Sequence, residues 1–114
     1  MSKITVKRIY DPPASTDGYR ILVDRLWPRG IRKDEARIDA WMKDVAPSTE
    51  LRQWYHAHLD EWGTFHQRYK EELKGSEALE ALKEAVKQHP HTTLLYASRE
   101  TEHNHALILE KILH

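Results

Sequence analysis

Asp24, Arg25 and Arg29 fall within six positions of the chain, with Trp27 and Pro28 between them. Guanidinium forks beside a carboxylate are suited to holding a phosphate or carboxylate, because the planar fork offers parallel N–H donors to two oxygens. A second group follows far along the chain, at Ser98, Arg99, Glu102, His103 and Asn104. Histidine is the side chain whose ordinary charge change lies nearest neutrality, which makes His103 the acid–base candidate. The expected site holds a small anion between Arg25 and Arg29, with Ser98, Arg99, Glu102 and Asn104 as further ligand contacts. Asp24 orients an arginine and joins His103 as the catalytic pair, if a reaction occurs at all.

Each residue also has a plainer reading. Asp24, Arg25 and Arg29 would equally close a structural ion-pair network at a sheet edge. Trp27 reads as a core or lid aromatic before it reads as a stacking platform. Ser98 and Thr101 are cheaply explained as helix caps. Ser98 as a nucleophile needs a base and an oxyanion hole, and the Gly-x-Ser-x-Gly elbow is absent.

These residues need elements to position them. Residues 4–10 alternate as a first strand, and Asp11 to Gly18 has loop composition. Tyr19 to Asp24 is a second strand, whose Ile21-Leu22-Val23 run suits burial on both faces. Pro28 ends any ladder there and Gly30 permits a turn. Over 34–46, Ile38, Trp41, Met42 and Val45 recur at helical spacing behind an Asp34 cap, while an extended segment fits almost as well. A helix opens at Pro47-Ser48 with Ser48 as its cap and Leu51, Trp54 and Tyr55 as its stripe. Further helices are expected over about 59–74, 77–88 and 101–113, and a third strand over 92–97.

That order predicts one α/β domain spanning 1–114. It is a small, mostly parallel sheet of three or more strands, covered by about four to five helices. In such sheets ligands sit beyond the carboxyl ends of the strands. The loops starting at Tyr10, Asp24 and Ser98 meet there.

Composition limits the chemistry. The chain has no cysteine, which excludes disulfides, thiolate metal sites and cysteine nucleophiles. Lys plus Arg and Asp plus Glu both number 18, so no net charge draws the chain to nucleic acid. Arg20, Arg25, Arg29, Arg32 and Lys33 beside Trp27 form the local basic patch that would have to serve that role. No apolar run is long enough to span a membrane, and the N-terminus carries no apolar signal region. A cytoplasmic protein without a cofactor is expected. A small anionic molecule is the expected partner, and nothing sets an oligomeric state. Two other readings stand beside the anion site. One is a non-catalytic interaction module presenting Trp27, Trp54 and Trp62. The other is a metal protein using its eight histidines. Glu102 and His105 have a carboxylate–histidine spacing, but one pair falls short of a site, and no metal ligand is assigned.

Several stretches resemble a known group. These are Val23-Asp24-Arg25-Leu26-Trp27-Pro28-Arg29-Gly30, Trp41 to Ser48, Leu51-Arg52-x-Trp54, and Trp62-x-x-Phe65-x-x-Arg68-Tyr69-x-x-Glu72-Leu73. With Leu94 to Ala97 and Glu102 to Ala106, they look like the DUF488 family in its YeaO-like branch. The resemblance runs from about Tyr10 to Leu109. It implies a small α/β domain and a bacterial-type cytoplasmic protein, and it implies no activity. Where some members carry cysteines, this chain has Tyr96 and Asn104, so no thiol role transfers. There is also no glycine-rich loop of the kind a methyl-donor cofactor would need.

Overall fold

Ile21, Leu22, Val23, Leu94 and Leu95 are completely buried, as their uninterrupted apolar runs require. The computed structural model describes residues 3–114, leaving Met1 and Ser2 outside. Its strands are β1 (Lys3–Arg8), β2 (Tyr19–Leu22), β3 (Ala40–Trp41) and β4 (His91–Tyr96). All pairs are parallel, in the order β1-β4-β2-β3. β4 therefore lies between β1 and β2, with Leu94 opposite both Val6 and Ile21. The helices are a single turn α1 (Lys33–Ala36), then α2 (Thr49–His56), α3 (Trp62–Leu73), α4 (Glu77–Gln88) and α5 (His105–Leu113).

Alternation along the strands sorts the core into two unequal parts. Ile4, Ile21, Val23, Leu94 and Tyr96 face α2, α3, α4 and α5. The helices contribute Leu51, Phe65, Tyr69, Leu82 and Leu109, among others, to this main core. Each such side chain stabilises the fold by about 1.5–3 kcal/mol when fully buried. On the opposite face Ile9, Leu22, Leu95 and Ala36 meet Trp27, Ile31, Ile38 and Trp41. Apart from the α1 turn, that cover comes from β3 and the loops around it. The helices thus cover both faces only nominally.

Three expectations about local structure are corrected. The stretch 34–46 is neither one helix nor one strand: α1 ends at Ala36, β3 pairs over Ala40–Trp41 and a 3-10 turn covers Lys43–Val45. Arg37 takes a left-handed conformation (φ 50°) and ends α1 after one turn. Trp41 then pairs opposite Leu22, and Ala40, Trp41 and Met42 alternate between the two cores. The helical spacing of Ile38, Trp41 and Val45 was coincidental. The last helix starts at His105, four residues after the expected start, because Asn104 caps it and not Ser98 or Thr101. The Asn104 side-chain oxygen accepts from the Leu107 N–H at 3.1 Å. The helix expected from Leu59 begins at Trp62, which leaves Leu59 in a loop. Ser48 caps α2 as expected, accepting from the Leu51 N–H.

The amino end of the second face is polar. Asp17 is buried and accepts from Lys7 at 3.1 Å and from Arg20. Arg20, also buried, donates to the carbonyls of Ala36 and Arg37. It is therefore no part of an exposed basic patch. Burial alone would raise the Asp17 carboxyl. The Ala14 N–H, Lys7 and Arg20 outweigh burial and hold it below its ordinary value. Next to it, Gly18 has φ +69°, and a Cβ there would overlap the His91 carbonyl oxygen.

Two stability measurements follow. Asp17→Asn leaves two cations without their carboxylate and is expected to cost about 3–5 kcal/mol in urea unfolding at pH 7. A carboxyl held low in the folded state adds stability that is present above the ordinary value of 3.8 and lost as pH falls through the depressed folded value. The wild-type advantage over Asp17→Asn should therefore hold from pH 7 to about 5 and shrink in more acid solution. Gly18→Ala should lower the melting temperature by several degrees at least, since it combines strain with a backbone clash. An unchanged midpoint would contradict the close approach of β2 to His91.

Candidate functional site

Parallel strands end together, so their terminal carbonyls and N–H groups need partners from the loops that follow. Here the loops after β1, β2 and β4 supply them. The Val23 N–H donates to the Leu95 carbonyl and the Ile9 N–H to the Tyr96 carbonyl. Asp24 continues the pattern with its side chain. One carboxylate oxygen, Oδ2, accepts from the Ala97 N–H at 2.9 Å. The other, Oδ1, is buried and lies 3.2 Å from His105 Nε2 without a well-directed hydrogen bond. That nitrogen lies 3.0 Å from the Val23 carbonyl. Two acceptors face Nε2, so it carries the proton, and in the neutral ring Nδ1 is the acceptor. The Asp24 carbonyl accepts from Trp41 Nε1 at 2.7 Å.

Beyond this edge lies a cavity of about 680 Å³. Its walls come from the three strand-end loops, from the 46–59 region including α2, and from Phe65 of α3. Asp24, Arg25, Arg29, Ser98, His103 and Asn104 all line it, as expected for residues at the carboxyl edge. Arg99 and Glu102 do not, and both are exposed.

The roles within that group differ from those expected. Arg25 donates from Nη2 to the Ala46 carbonyl at 3.1 Å and from Nε to the Pro47 carbonyl at 3.3 Å. Its remaining nitrogen lies 3.9 Å from the exposed Asp44 carboxylate. Arg25 is thus a brace between the β2 loop and the approach to α2. Asp24 orients a histidine and a backbone amide. No hydrogen bond or ion pair joins it to an arginine among the described residues. Ser98 Oγ accepts from the Glu100 N–H at 3.0 Å, a turn contact. Asn104 is buried, tied to Leu107 and to the Glu100 carbonyl. His103 lies flat on Trp62, with ring centroids 4.8 Å apart. His103 and His105 diverge, one to Trp62 and the other to Asp24. Among the described residues no three His, Asp or Glu side chains converge as metal ligands.

Two guanidinium groups lining the cavity are unspent. The Arg29 side chain is exposed and makes no hydrogen bond or ion pair among the described residues. Its backbone carbonyl accepts from the Tyr10 hydroxyl at 2.8 Å, which fixes the loop. Arg52, half-buried on α2, likewise has no partner for its side chain. The cavity also takes in His56 and Glu100. The N–H groups of Glu102 and His103 hold the exposed Glu100 carboxyl below its ordinary value. Arg52, His56, Glu100 and His105 were missing from the expected binding set. A signal existed for two of them. Arg52 and His56 stand at i and i+4, on one face of a helix. That face is one step round from the apolar stripe of Leu51, Trp54 and Tyr55.

The family model described as the inactive DUF488-N3 subclade matches residues 3–114. The uncharacterized protein YeaO of Escherichia coli strain K12 is 48% identical over 107 residues, covering 93% of this chain and 92% of its own. The uncharacterized proteins Mb3100c of Mycobacterium bovis and Rv3073c of Mycobacterium tuberculosis strain H37Rv are each 43% identical over 112 residues, covering 98% of this chain and 94% of their own. No solved structure matches the chain significantly.

The division between braced and unspent arginines can be measured. Arg25→Ala removes two bonds from a charged donor to backbone carbonyls. It should lower unfolding free energy by about 1.5–3 kcal/mol. Arg29→Ala should change it by no more than about 0.5 kcal/mol, as for an ordinary surface substitution. Equal costs for the two would dissolve the distinction.

Proposed function

The chain belongs to the DUF488 family, in the subclade described as inactive, and we propose that it binds a small anionic ligand, a phosphate or carboxylate, without transforming it. The observation that carries this reading is the pair of unpartnered guanidinium groups, Arg29 and Arg52, on one cavity. A guanidinium with no protein partner keeps its directed N–H donors free for an anion that can accept from them. His56 and His103 line the same space and add donors when protonated.

Support for binding over catalysis comes from the fate of the acid–base candidates. Asp24 is committed to Ala97 and His105, and His103 is committed to Trp62. No contact joins Asp24 to His103 among the described residues. The chain offers no thiol nucleophile, and Ser98 Oγ is held in a turn. The description of the subclade as inactive agrees with this reading. The tryptophans favour an interaction module less. Trp27 is edge-on to Trp41, Trp54 carries His58 and Arg68, and Trp62 carries Phe65 and His103.

Calorimetric titration with inorganic phosphate, acetate, citrate and nucleotides tests the reading. A bound anion should lose about tenfold or more in affinity in Arg52→Gln and again in Arg29→Gln, from about 1.5–3 kcal/mol per charged hydrogen-bonded contact. Affinity should also fall as salt rises. Retention of full affinity in the Arg29→Gln/Arg52→Gln double variant would sink the assignment.

A further inference from the structure

Among the described residues, the exposed large hydrophobic side chains are Tyr10 at 43%, Leu26 at 61% and Leu59 at 65%. They come from three separate loops, and all three line the cavity that holds Arg29 and Arg52. Scattered exposed leucines are unremarkable, but convergence of all of them on one cavity is not expected of scattered surface residues. Phe65, Tyr55 and Trp27 line the same space further in. The volume of about 680 Å³ falls in the range of cavities that enclose a drug-sized molecule, roughly 300–1,000 Å³. A bare phosphate or acetate would leave most of it wet and the leucines uncovered.

We propose that the ligand is an amphipathic acid: one phosphate or carboxylate group on an aromatic or aliphatic body, the anion on Arg29 and Arg52 and the body covering Leu26, Leu59 and Tyr10. This rests on the anion-binding reading and adds the apolar half of the ligand. The side chains divide the labour by chemistry. The guanidinium groups fix the headgroup by directed hydrogen bonds. The leucines and the Tyr10 ring favour any apolar body of suitable size, since apolar contact is non-directional. Tyr10 is tied by its hydroxyl to the Arg29 carbonyl. That bond sets one apolar wall against the backbone that carries one of the two cations. The cavity volume fits a small molecule and not an extended polypeptide face.

Four probes separate the two halves of the proposal: 1-naphthyl phosphate, octyl phosphate, inorganic phosphate and 1-naphthol, each titrated calorimetrically into the full chain. At least one of the two phosphate monoesters should bind tenfold or more tighter than both inorganic phosphate and 1-naphthol. Leu26→Ser/Leu59→Ser changes only exposed side chains, so its melting temperature should stay at the wild-type value. It should bring the monoesters down towards the affinity of inorganic phosphate and leave inorganic phosphate itself unchanged. Equal affinity for inorganic phosphate and both monoesters would overturn the amphipathic ligand while leaving anion binding intact. Equal affinity for 1-naphthol and 1-naphthyl phosphate, unmoved by Arg52→Gln, would overturn anion binding itself. No binding of any probe would overturn both.

Discussion

The structure depends on how the chain leaves β2. The strand stops at Leu22 in the middle of a buried parallel sheet, and the groups that follow cannot be left bare. Asp24 resolves this by standing in for a further strand residue, its carboxylate accepting the Ala97 N–H that the ladder no longer reaches. His105 closes over the Val23 carbonyl and Trp41 over the Asp24 carbonyl. Asp24 after β2, His105 of α5 and Trp41 of β3 thereby fasten together the ends of β2 and β4, the start of α5 and the end of β3. An unsatisfied buried polar group costs about 1–3 kcal/mol, so each of these partners is worth keeping. Asp24 Oδ1 is the residue of this arrangement, buried and only obliquely approached by His105.

The same economy explains the asymmetry of the two sheet faces. Four helices lie on one side, anchored by Tyr69, whose hydroxyl donates to the Val45 carbonyl at 2.5 Å. The other side carries an ion triad at its amino end, with Asp17 and Arg20 buried and Lys7 half-buried, where another helix would otherwise pack. Arg20 reaches across to the Ala36 and Arg37 carbonyls, which lets a single helical turn and β3 cover the rest. Residues of α2, Phe65 of α3 and His105 of α5 line the space beyond the carboxyl edge on one side, and the strand-end loops line it on the other. The cavity is the space between them.

Much of this was legible from pattern. Strands buried on both faces announce themselves as apolar runs, and α4 announces itself by its helical period. The carboxyl edge as the site of the polar cluster followed from parallel topology alone. The failures share a cause. Ile38, Trp41 and Val45 could be spaced for a helix and still be placed by edge pairing to β2 and an αL residue at Arg37. Asp24 and Arg25 carry the charges of a binding site and spend them on backbone. Nothing local distinguishes a guanidinium that will meet two carbonyls 21 and 22 positions away from one that will meet solvent. Arg52 was invisible for the opposite reason, being an ordinary polar position beside an apolar helical stripe.

Charges placed next to a strand end are the first to be consumed by the orphan groups of that end, so they make a rigid floor more often than a ligand contact. The unspent cations then have to come from further out, and the two here are not equivalent. On the proposed anion-binding reading, Arg29 on its exposed loop would give up most of its side-chain freedom on binding, a cost of up to about 2 kcal/mol. Arg52 rises from a capped helix and is already half-buried, so less freedom remains to be lost and its charge is less well hydrated. On that reading the helix-borne guanidinium would return more net affinity for the same hydrogen bonds, and the loop-borne one would supply reach towards ligands of different length. Discrimination among anions would therefore centre on Arg52, and tolerance of their size on Arg29.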